Sequence, residues 1–302
     1  MSKKTTCVGV RPQLIGDSIF VLPVLNYWKK LYGDIDVTWV VAKKCSQAAP
    51  FFQNHPLINN IIVSDDDEGN IYTINGKTYD QRYDDLPFDV RTPNFNPPEP
   101  YNHTYNNYNA IERAWIMAGL ELSDYYNLPK EEQRPRLYAP PYAVSESHIS
   151  PRVITIFPFA GYNKSSESKR SPSPGWWKEM VEILIKNKYI IQHCGHPSEP
   201  ILSDSERYFN FTSKTLYNQV IDYAIQSAIV IGTDSGSSWL VGAYNRSSPL
   251  INLLTYSFAG HYKNPYGLAP MHYGGKQTNL FCPSSCDGIS HEYVFDAVKN
   301  SN

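Results

Sequence analysis

The segment Asp234-Ser235-Gly236 has residue types and a position suited to holding a phosphate group. It lies in a polar break that begins at Gly232, after the apolar run Ala228–Ile231 and before the helical spacing of Trp239–Tyr244. A turn between a parallel strand and a helix lies at the carboxyl edge of the sheet, where the first N–H groups of the helix favour an anion. The same residues also fit an ordinary helix cap, with Asp234 or Ser235 satisfying the first turn.

Three further polar groups follow other predicted strands. Asp17 comes after the first strand, and Glu199 ends a polar segment after a strand in the second half. Lys164, Lys169 and Arg170 lie in a Ser-rich loop, a composition suited to phosphate oxygens. Because the strand ends of a doubly wound sheet share one edge, these groups are expected to line a common ligand site. The simpler interpretations are a helix cap for Asp17 and a solvated side chain for Lys169.

Several kinds of chemistry are disfavoured by missing patterns. Neither G-x-G-x-x-G nor the Walker A pattern occurs, which argues against a nicotinamide dehydrogenase or a P-loop NTPase. The 5 cysteines are scattered, as is typical of reduced thiols. Cys282 and Cys286 could form half of a zinc site, but no second pair lies at matching distance, so no metal site is predicted.

Length and charge narrow the class of protein. A chain of 302 residues can form two domains, and a net charge of -2 gives no electrostatic footprint for nucleic acid or an anionic membrane. No apolar run approaches the roughly 18 residues of a membrane-spanning helix, and the N-terminus has no signal-peptide core. We therefore expect a cytoplasmic protein without a transmembrane segment, although peripheral membrane association stays open.

Alternating strand and helix patterns predict an α/β fold with a parallel, doubly wound sheet in each half. The predicted strands are Cys7–Val10, Asp36–Val41, Asn60–Val63, Val153–Phe157, Tyr189–His193, Ala228–Ile231 and Pro249–Leu254. The predicted helices begin at Ile19, Cys45, Asn109, Pro174, Leu216 and His291. Pro23 is tolerable in the first of them only if it lies in the first turn. The apolar residues at helical spacing from Leu216 extend to Ala228.

The alternation of strands and helices stops over residues 64–109, which are rich in Asp, Asn, Tyr and Pro. Their tyrosines favour a packed loop region that contacts an acceptor molecule. Within this segment Ile71–Tyr79 predicts a β-hairpin with a primed turn at Asn75-Gly76. The Pro-rich passage Pro129–Pro151 predicts a linker. We predict an N-terminal domain over residues 1–145 and a C-terminal domain over residues 146–302, with a terminal helix over about 290–300.

Four groups of residues, in order along the chain, resemble motifs of glycosyltransferase family nine, the lipopolysaccharide heptosyltransferases. Leu14–Ile19 with Leu22-Pro23 resembles the family's GD…LP signature, and Lys169 with Pro172 and Trp176 resembles K-x-W-P-x-x-x-W. The other two groups are Gly195–Glu199 and Ile231–Gly236. The resemblance implies the GT-B fold, in which two Rossmann-like domains face a central cleft. It also implies that the N-terminal domain, residues 1–145, binds the acceptor and that the C-terminal domain, residues 146–302, binds the nucleotide-sugar donor.

The resemblance also implies an activity and the residues that carry it. The reaction would transfer a hexosyl, heptosyl or pentosyl group from a nucleotide diphosphate sugar, with inversion and without a metal or cofactor. Asp17 would be the general base that takes the proton of the acceptor hydroxyl. Lys169, with Ser165 and Ser166, would bind the diphosphate and stabilise its charge as it leaves.

The remaining roles implied by the resemblance concern the donor. Asp234, Ser235 and Gly236 would hold it at the helix N-terminus, with Asp234 on sugar or ribose hydroxyls and the backbone N–H groups on the phosphate. Glu199 and the backbone near Thr215 would hold the nucleoside. The expected acceptor is a glycan or a lipid-linked saccharide, as in lipopolysaccharide biosynthesis.

Two departures from the family pattern leave alternatives open. The family usually has His three residues after the Gly of its DSG motif, where this chain has Trp239. Residues 64–109, where the family binds its acceptor, do not resemble a motif that we can name. A heptose is therefore not assumed. One alternative is a GT-B enzyme acting on a modified nucleobase in DNA, as in phages, although the acidic run Asp65–Glu68 counts against it. The other is a catalytically silent nucleotide-sugar-binding protein, which Trp239 alone favours.

Overall fold

The computed structural model describes residues 6–10, 15–67, 69–80, 88, 90–91, 110–138, 150–160, 170–212, 217–244, 248–255 and 276–301. The chain divides into two compact units, Met1–Pro141 and Tyr142–Asn302. The predicted domain boundary after residue 145 lies outside the described residues and stays a prediction. Among the described residues, no helix combines the length and the apolar character needed to cross a bilayer.

The N-terminal unit is built on a parallel sheet with the strand order β3-β2-β1-β6. Its elements are β1 (Thr6–Val10), α1 (Ile15–Phe20), α2 (Leu22–Tyr32), β2 (Ile35–Val41), α3 (Ala49–Phe52), β3 (Asn60–Val63), β4 (Ile71–Ile74), β5 (Lys77–Asp80), β6 (Val90–Arg91), α4 (Ala110–Met117) and α5 (Leu122–Tyr126). The central strand β1 thus has β2 on one side and β6 on the other.

The first helical region differs from the prediction. The helix was expected from Ile19, with Asp17 in a loop, whereas α1 already begins at Ile15 and contains Asp17. The chain then breaks at Val21 before α2, which carries Pro23 in its first turn. That position tolerates Pro because its N–H would have no partner within the helix.

The segment predicted as one helix from Cys45 is also divided. A 3-10 helix runs over Lys43–Ala48 and is followed by the short α3. Pro50 lies in the first turn of α3, so it can begin a helix there but cannot continue one that began at Cys45.

The predicted hairpin is confirmed. Strands β4 and β5 pair antiparallel and are joined by Asn75 and Gly76, whose φ angles are 50° and 78°. Positive φ at both central residues is the requirement of a type I′ turn, which matches the twist of the two strands. Tyr72 of β4 is fully buried and packs with Val40 of β2.

The C-terminal unit contains a six-stranded parallel sheet with the order β12-β11-β10-β7-β8-β9. Its elements are β7 (Ser150–Phe157), α6 (Pro174–Lys186), β8 (Ile190–His193), β9 (Tyr208–Asn210), α7 (Tyr217–Gln226), β10 (Ser227–Thr233), α8 (Gly236–Ala243), β11 (Leu250–Leu254), β12 (Gln277–Phe281) and α9 (His291–Lys299). Strands β8 and β9 follow β7 on one side of it, and strands β10, β11 and β12 are added in that order on its other side. The strand order therefore reverses between β7 and β10, as in a dinucleotide-binding fold.

The apolar spacing of α6 is explained by the core that it covers. The residues buried between this helix, the sheet and α9 include Trp177, Met180, Val181, Leu184, Ile154, Ile156, Ile191, Val294 and Val298. Full burial of each large aliphatic side chain stabilises the unit by about 1.5–3 kcal/mol. Ala228 was predicted both at the end of the helical stripe from Leu216 and at the start of the strand Ala228–Ile231. It lies in β10, because α7 already ends at Gln226.

Candidate functional site

The switch point of the C-terminal unit lies where β7 and β10 run side by side. Gly232 of β10 is opposite Phe157 of β7. Strand β7 ends at Phe157, and β10 ends one residue after Gly232, at Thr233. The crevice outside two such strand ends is the usual ligand position in open α/β sheets. The turn Asp234-Ser235 leaves β10 at this point and leads into α8, so Gly232 and Thr233 belong to the strand and the predicted polar turn is shorter than expected.

Ser235 is the N-cap of α8. Its backbone is extended, with φ −141° and ψ 157°, and its Oγ accepts a hydrogen bond from the Ser238 N–H at 3.4 Å. A Cβ at Gly232 would overlap the Ser238 Oγ, so glycine lets α8 approach β10. The ordinary helix cap is thus present. The helix that it begins has 8 residues, and the N-terminus of such a helix attracts anions.

Asp234 is bound on both sides of its carboxylate. Its Oδ2 accepts a hydrogen bond from Arg170 Nη2 at 2.6 Å, and its backbone oxygen accepts from the same nitrogen at 3.0 Å. Its Oδ1 accepts from Trp239 Nε1 at 3.2 Å. The 2.6 Å bond joins two charged groups, and short bonds of this kind are among the stronger hydrogen bonds in proteins. Arg170 was predicted to belong to a loop suited to phosphate. In the structure the Arg170 guanidinium also neutralises the charge of Asp234, at the start of α8.

The segment that carries Arg170 is anchored by the turn after β12. The Cys286 thiol donates to the Arg170 carbonyl oxygen at 3.3 Å, and Asp287 Oδ1 accepts from the Ser173 N–H at 2.5 Å. Burial raises the pKa of the Cys286 thiol to about 12, so the thiol keeps its proton and acts as a donor. Among the described residues, no cluster of three or more His, Cys, Asp or Glu side chains could hold a metal ion.

Glu199 lies in a buried network at the end of β8. Its Oε2 is 2.8 Å from His193 Nε2, and its Oε1 accepts from the His196 N–H at 2.7 Å. His193 Nδ1 is 2.6 Å from the Tyr208 hydroxyl, which accepts from the Leu202 N–H at 3.1 Å. The side chains of His193 and Glu199 are 0% and 2% exposed. The predicted nucleoside ligand Glu199 is thus turned into the protein, with both oxygens engaged.

The proton positions in this network follow from its partners. Burial raises the pKa of Tyr208 to about 12, so the phenol is protonated at neutral pH. Since its oxygen already accepts from Leu202, we assign its O–H to His193 Nδ1 and the His193 Nε2–H to Glu199. Every polar atom then has a partner of the correct kind. A Cβ at Gly195 would overlap the Glu199 carboxylate, which explains why glycine begins this turn.

The other predicted site residues are placed only in part. Asp17 lies on α1, beyond the carboxyl end of β1, and its side chain is outside the described part of the structure. Because β1 lies between β2 and β6, this is the switch point of the N-terminal sheet. Five further residues named in the sequence analysis lie outside the described ranges: Lys164, Ser165, Ser166, Lys169 and Thr215.

Sequence reasoning missed the roles of His193, Tyr208 and Trp239. His193 ends a buried strand six residues before Glu199, a signal that could have indicated an internal pair. Tyr208 gave no such signal, because the three-residue β9 is too short to show a strand pattern. Trp239 has helical spacing typical of a core residue, and its indole N–H finds Asp234 only once the turn is folded.

Comparison with known proteins identifies the fold. No protein-family model and no curated protein sequence matches this chain. The glycosyl transferase family 9 structure from Veillonella parvula DSM 2008 matches with a TM-score of 0.66 and 12% identity over 99% of this chain and 98% of that one. The E. coli ADP-heptose LPS heptosyltransferase II matches with a TM-score of 0.65 and 14% identity over 98% of both chains. The E. coli heptosyltransferase WaaC with ADP matches with a TM-score of 0.56 and 11% identity over 98% of this chain and 99% of that one.

These three likenesses extend along nearly the whole chain, and at such low identity they establish the fold. The chain has the α/β GT-B fold of the family-nine heptosyltransferases, as its motifs predicted. They do not by themselves assign a role to any side chain.

Proposed function

We propose that this chain, which has the fold of the family-nine heptosyltransferases, is an inverting glycosyltransferase. It would move a sugar from a nucleotide diphosphate sugar to a hydroxyl group of a glycan or lipopolysaccharide-type acceptor. The observation that carries the proposal is the switch point between β7 and β10, where the N-terminus of α8 lies beside the fixed Asp234 carboxylate. The heptosyltransferase WaaC, a neighbour in fold, was solved with ADP, which makes ADP the first nucleotide to test.

In the proposed donor site, the diphosphate binds at the N-terminus of α8. The partial positive charge of the helix end and the backbone N–H groups around Gly236 favour an anion there. The Arg170 guanidinium offsets the charge of Asp234, so the carboxylate does not repel the phosphates. Lys169, with Ser165 and Ser166, adds positive charge and hydroxyl donors to the same group.

The nucleoside part of the donor is proposed to lie along the turn after β8 and near the Thr215 backbone. Glu199 would act there by fixing the turn from within, because both of its oxygens bind groups of the protein. Asp234 would reach donor hydroxyls only through lone pairs left by Arg170 and Trp239, since each carboxylate oxygen can accept more than one hydrogen bond.

The proposed reaction is a single displacement. The acceptor oxygen attacks the anomeric carbon, the bond from that carbon to the diphosphate oxygen breaks, and Asp17 takes the acceptor proton as general base. Lys169 and the N-terminus of α8 stabilise the negative charge that develops on the leaving diphosphate. Attack on the face opposite the leaving group inverts the anomeric centre.

Donor binding is tested first, without reference to an acceptor. A thermal-shift panel of ADP-, GDP-, UDP- and CDP-sugars should show stabilisation by one nucleotide class, about 2.7 kcal/mol at 100 times its dissociation constant. The lack of a response to every member of the panel would contradict the proposed function.

The general base is tested by Asp17→Asn. We expect the variant to bind the donor like wild type and to lose at least about 100-fold in transfer rate, because the amide cannot accept the proton. Asp34→Asn, at an exposed position of the same unit and outside residues 64–109, is the matched control and should keep full activity. Normal transfer by a folded Asp17→Asn protein would rule out this role.

We propose that transfer needs neither a metal nor a cofactor, because Lys169 and α8 are assigned the task of stabilising the diphosphate. Protein dialysed against EDTA should therefore keep its transfer rate. A loss of activity that Mg²⁺ or Fe²⁺ restores would show that a metal supplies part of this charge.

A further inference from the structure

Trp239 and Arg170 contact the same carboxylate from two different elements. Trp239 lies on α8, five residues after Asp234, and Arg170 comes from a segment 64 residues before it. All of these bonds end on Asp234, the residue that immediately precedes the N-cap of α8. The first turn of α8 is therefore held at Asp234 by one bond from within the helix and by two bonds from Arg170.

Trp239 supplies a donor that cannot titrate. Its side chain is buried, and its indole Nε1–H is donor only. The family histidine at this position would offer an imidazole that gains a proton near pH 6.5. Trp239 therefore offers Asp234 an N–H group whose charge does not change with pH.

Arg170 fixes both the side chain and the peptide of Asp234. One nitrogen, Nη2, donates to the carboxylate and to the backbone oxygen of the same residue. The Arg170 carbonyl is held in turn by the Cys286 thiol. Both Arg170 and Cys286 keep a single protonation state through neutral pH, since arginine is always charged and burial raises the pKa of Cys286 to about 12.

We propose that Trp239 and Arg170 are positioning residues of the donor site, which hold Asp234 and thereby set the entrance of α8 for the donor diphosphate. The inference rests on the proposed function and deepens it.

The network is tested first without any ligand, by a double-mutant cycle on the unfolding of the full chain. Trp239→Phe removes the N–H but keeps an aromatic ring, and Arg170→Gln removes the charge but keeps a donor. If both residues act through Asp234, the two effects should be coupled by about tenfold in the unfolding equilibrium constant, or about 1.4 kcal/mol. Simple additivity of the two substitutions would overturn the proposed network.

The role in donor binding is tested by calorimetric titration with ADP at pH 6 and pH 8. Expressed as a ratio to wild type at the same pH, the affinity of Trp239→Phe should be lower by about tenfold at both values. Trp239→His restores an N–H and should bind ADP better than Trp239→Phe. Its affinity relative to wild type should be higher at pH 6 than at pH 8, because the imidazolium adds positive charge beside the phosphates.

The two hypotheses fail in different ways. If wild type binds ADP and Trp239→Phe binds it equally well, the positioning role is overturned and the proposed function stands. If wild type binds neither ADP nor any other nucleotide diphosphate, the proposed function is overturned together with the donor role. The ligand-free cycle then still decides whether the three side chains form one unit.

Discussion

Removal of the Glu199 carboxylate should destabilise the C-terminal unit strongly. In Glu199→Ala the His193 Nε2–H and the His196 N–H both lose their acceptor. The buried His193 donor left without a partner costs about 1–3 kcal/mol, and loss of the partly buried His196 hydrogen bond costs about 0.5–1.5 kcal/mol, so the two together cost about 1.5–4.5 kcal/mol. For a domain of this size that corresponds to a fall in Tm of about 3–18 °C. Differential scanning calorimetry of the full chain measures it and can separate the transitions of the two units.

Glu199→Gln provides the isosteric comparison. The amide oxygen can accept from the His196 N–H, while the amide nitrogen donates to His193 Nε2 and the imidazole takes its other tautomer. His193 Nδ1–H then donates to Tyr208, and only the Tyr208 O–H is left without a partner. The expected cost is that of one hydrogen bond, about 1 kcal/mol.

Glu206→Ala controls for the loss of an exposed carboxylate nearby, and it should change stability by less than about 0.5 kcal/mol. If Glu199→Ala unfolds at the same temperature as Glu206→Ala, the buried network does not fix the turn. A cost of Glu199→Gln equal to that of Glu199→Ala would show that the carboxylate charge, rather than the pattern of donors and acceptors, is what matters.

Three other substitutions follow from the same structure. Gly195→Ala should lower Tm as Glu199→Ala does, because its methyl group would overlap the carboxylate, whereas Gly175→Ala, where a Cβ meets only the Ser173 Oγ at 3.9 Å, should be neutral in the same calorimetric scan. Burial, with the Arg136 charge, lowers the pKa of His55 from 6.5 to about 4. Between these pH values the unfolded state binds more protons than the folded state, so the free energy of unfolding of wild type should fall by up to about 3 kcal/mol as pH falls from 6.5 to 4. This pH dependence of the urea midpoint should be smaller in His55→Asn, and an unchanged slope would contradict it. Burial raises the pKa of Asp222 from 3.8 to about 6, so its contribution is favourable at low pH and is lost as pH rises through 6; Asp222→Asn should therefore raise Tm at pH 8 and leave it unchanged at pH 4.

Local patterns were enough to predict most of the elements and the fold class. The apolar run of β10, the helical spacing of α6 and the Asn75-Gly76 turn each depend on residues adjacent in sequence, and each was observed as expected. The elements that were missed or misplaced have weak local signals. Strands β9 and β12 are short or only partly buried, and Ala228 is acceptable in both a helix and a strand.

The partners of the polar side chains were decided by tertiary structure alone. The sequence placed Asp234 and Glu199 at strand ends, but whether a carboxylate faces a ligand or the protein depends on what the neighbouring strands bring to it. Arg170 reaches Asp234 because the segment after β7 lies beside the end of β10, and Glu199 turns inward because β8 ends in a buried histidine. The sequence thus determined where the polar groups lie on the sheet, and only the packing of distant segments determined which of them are already bound within the protein.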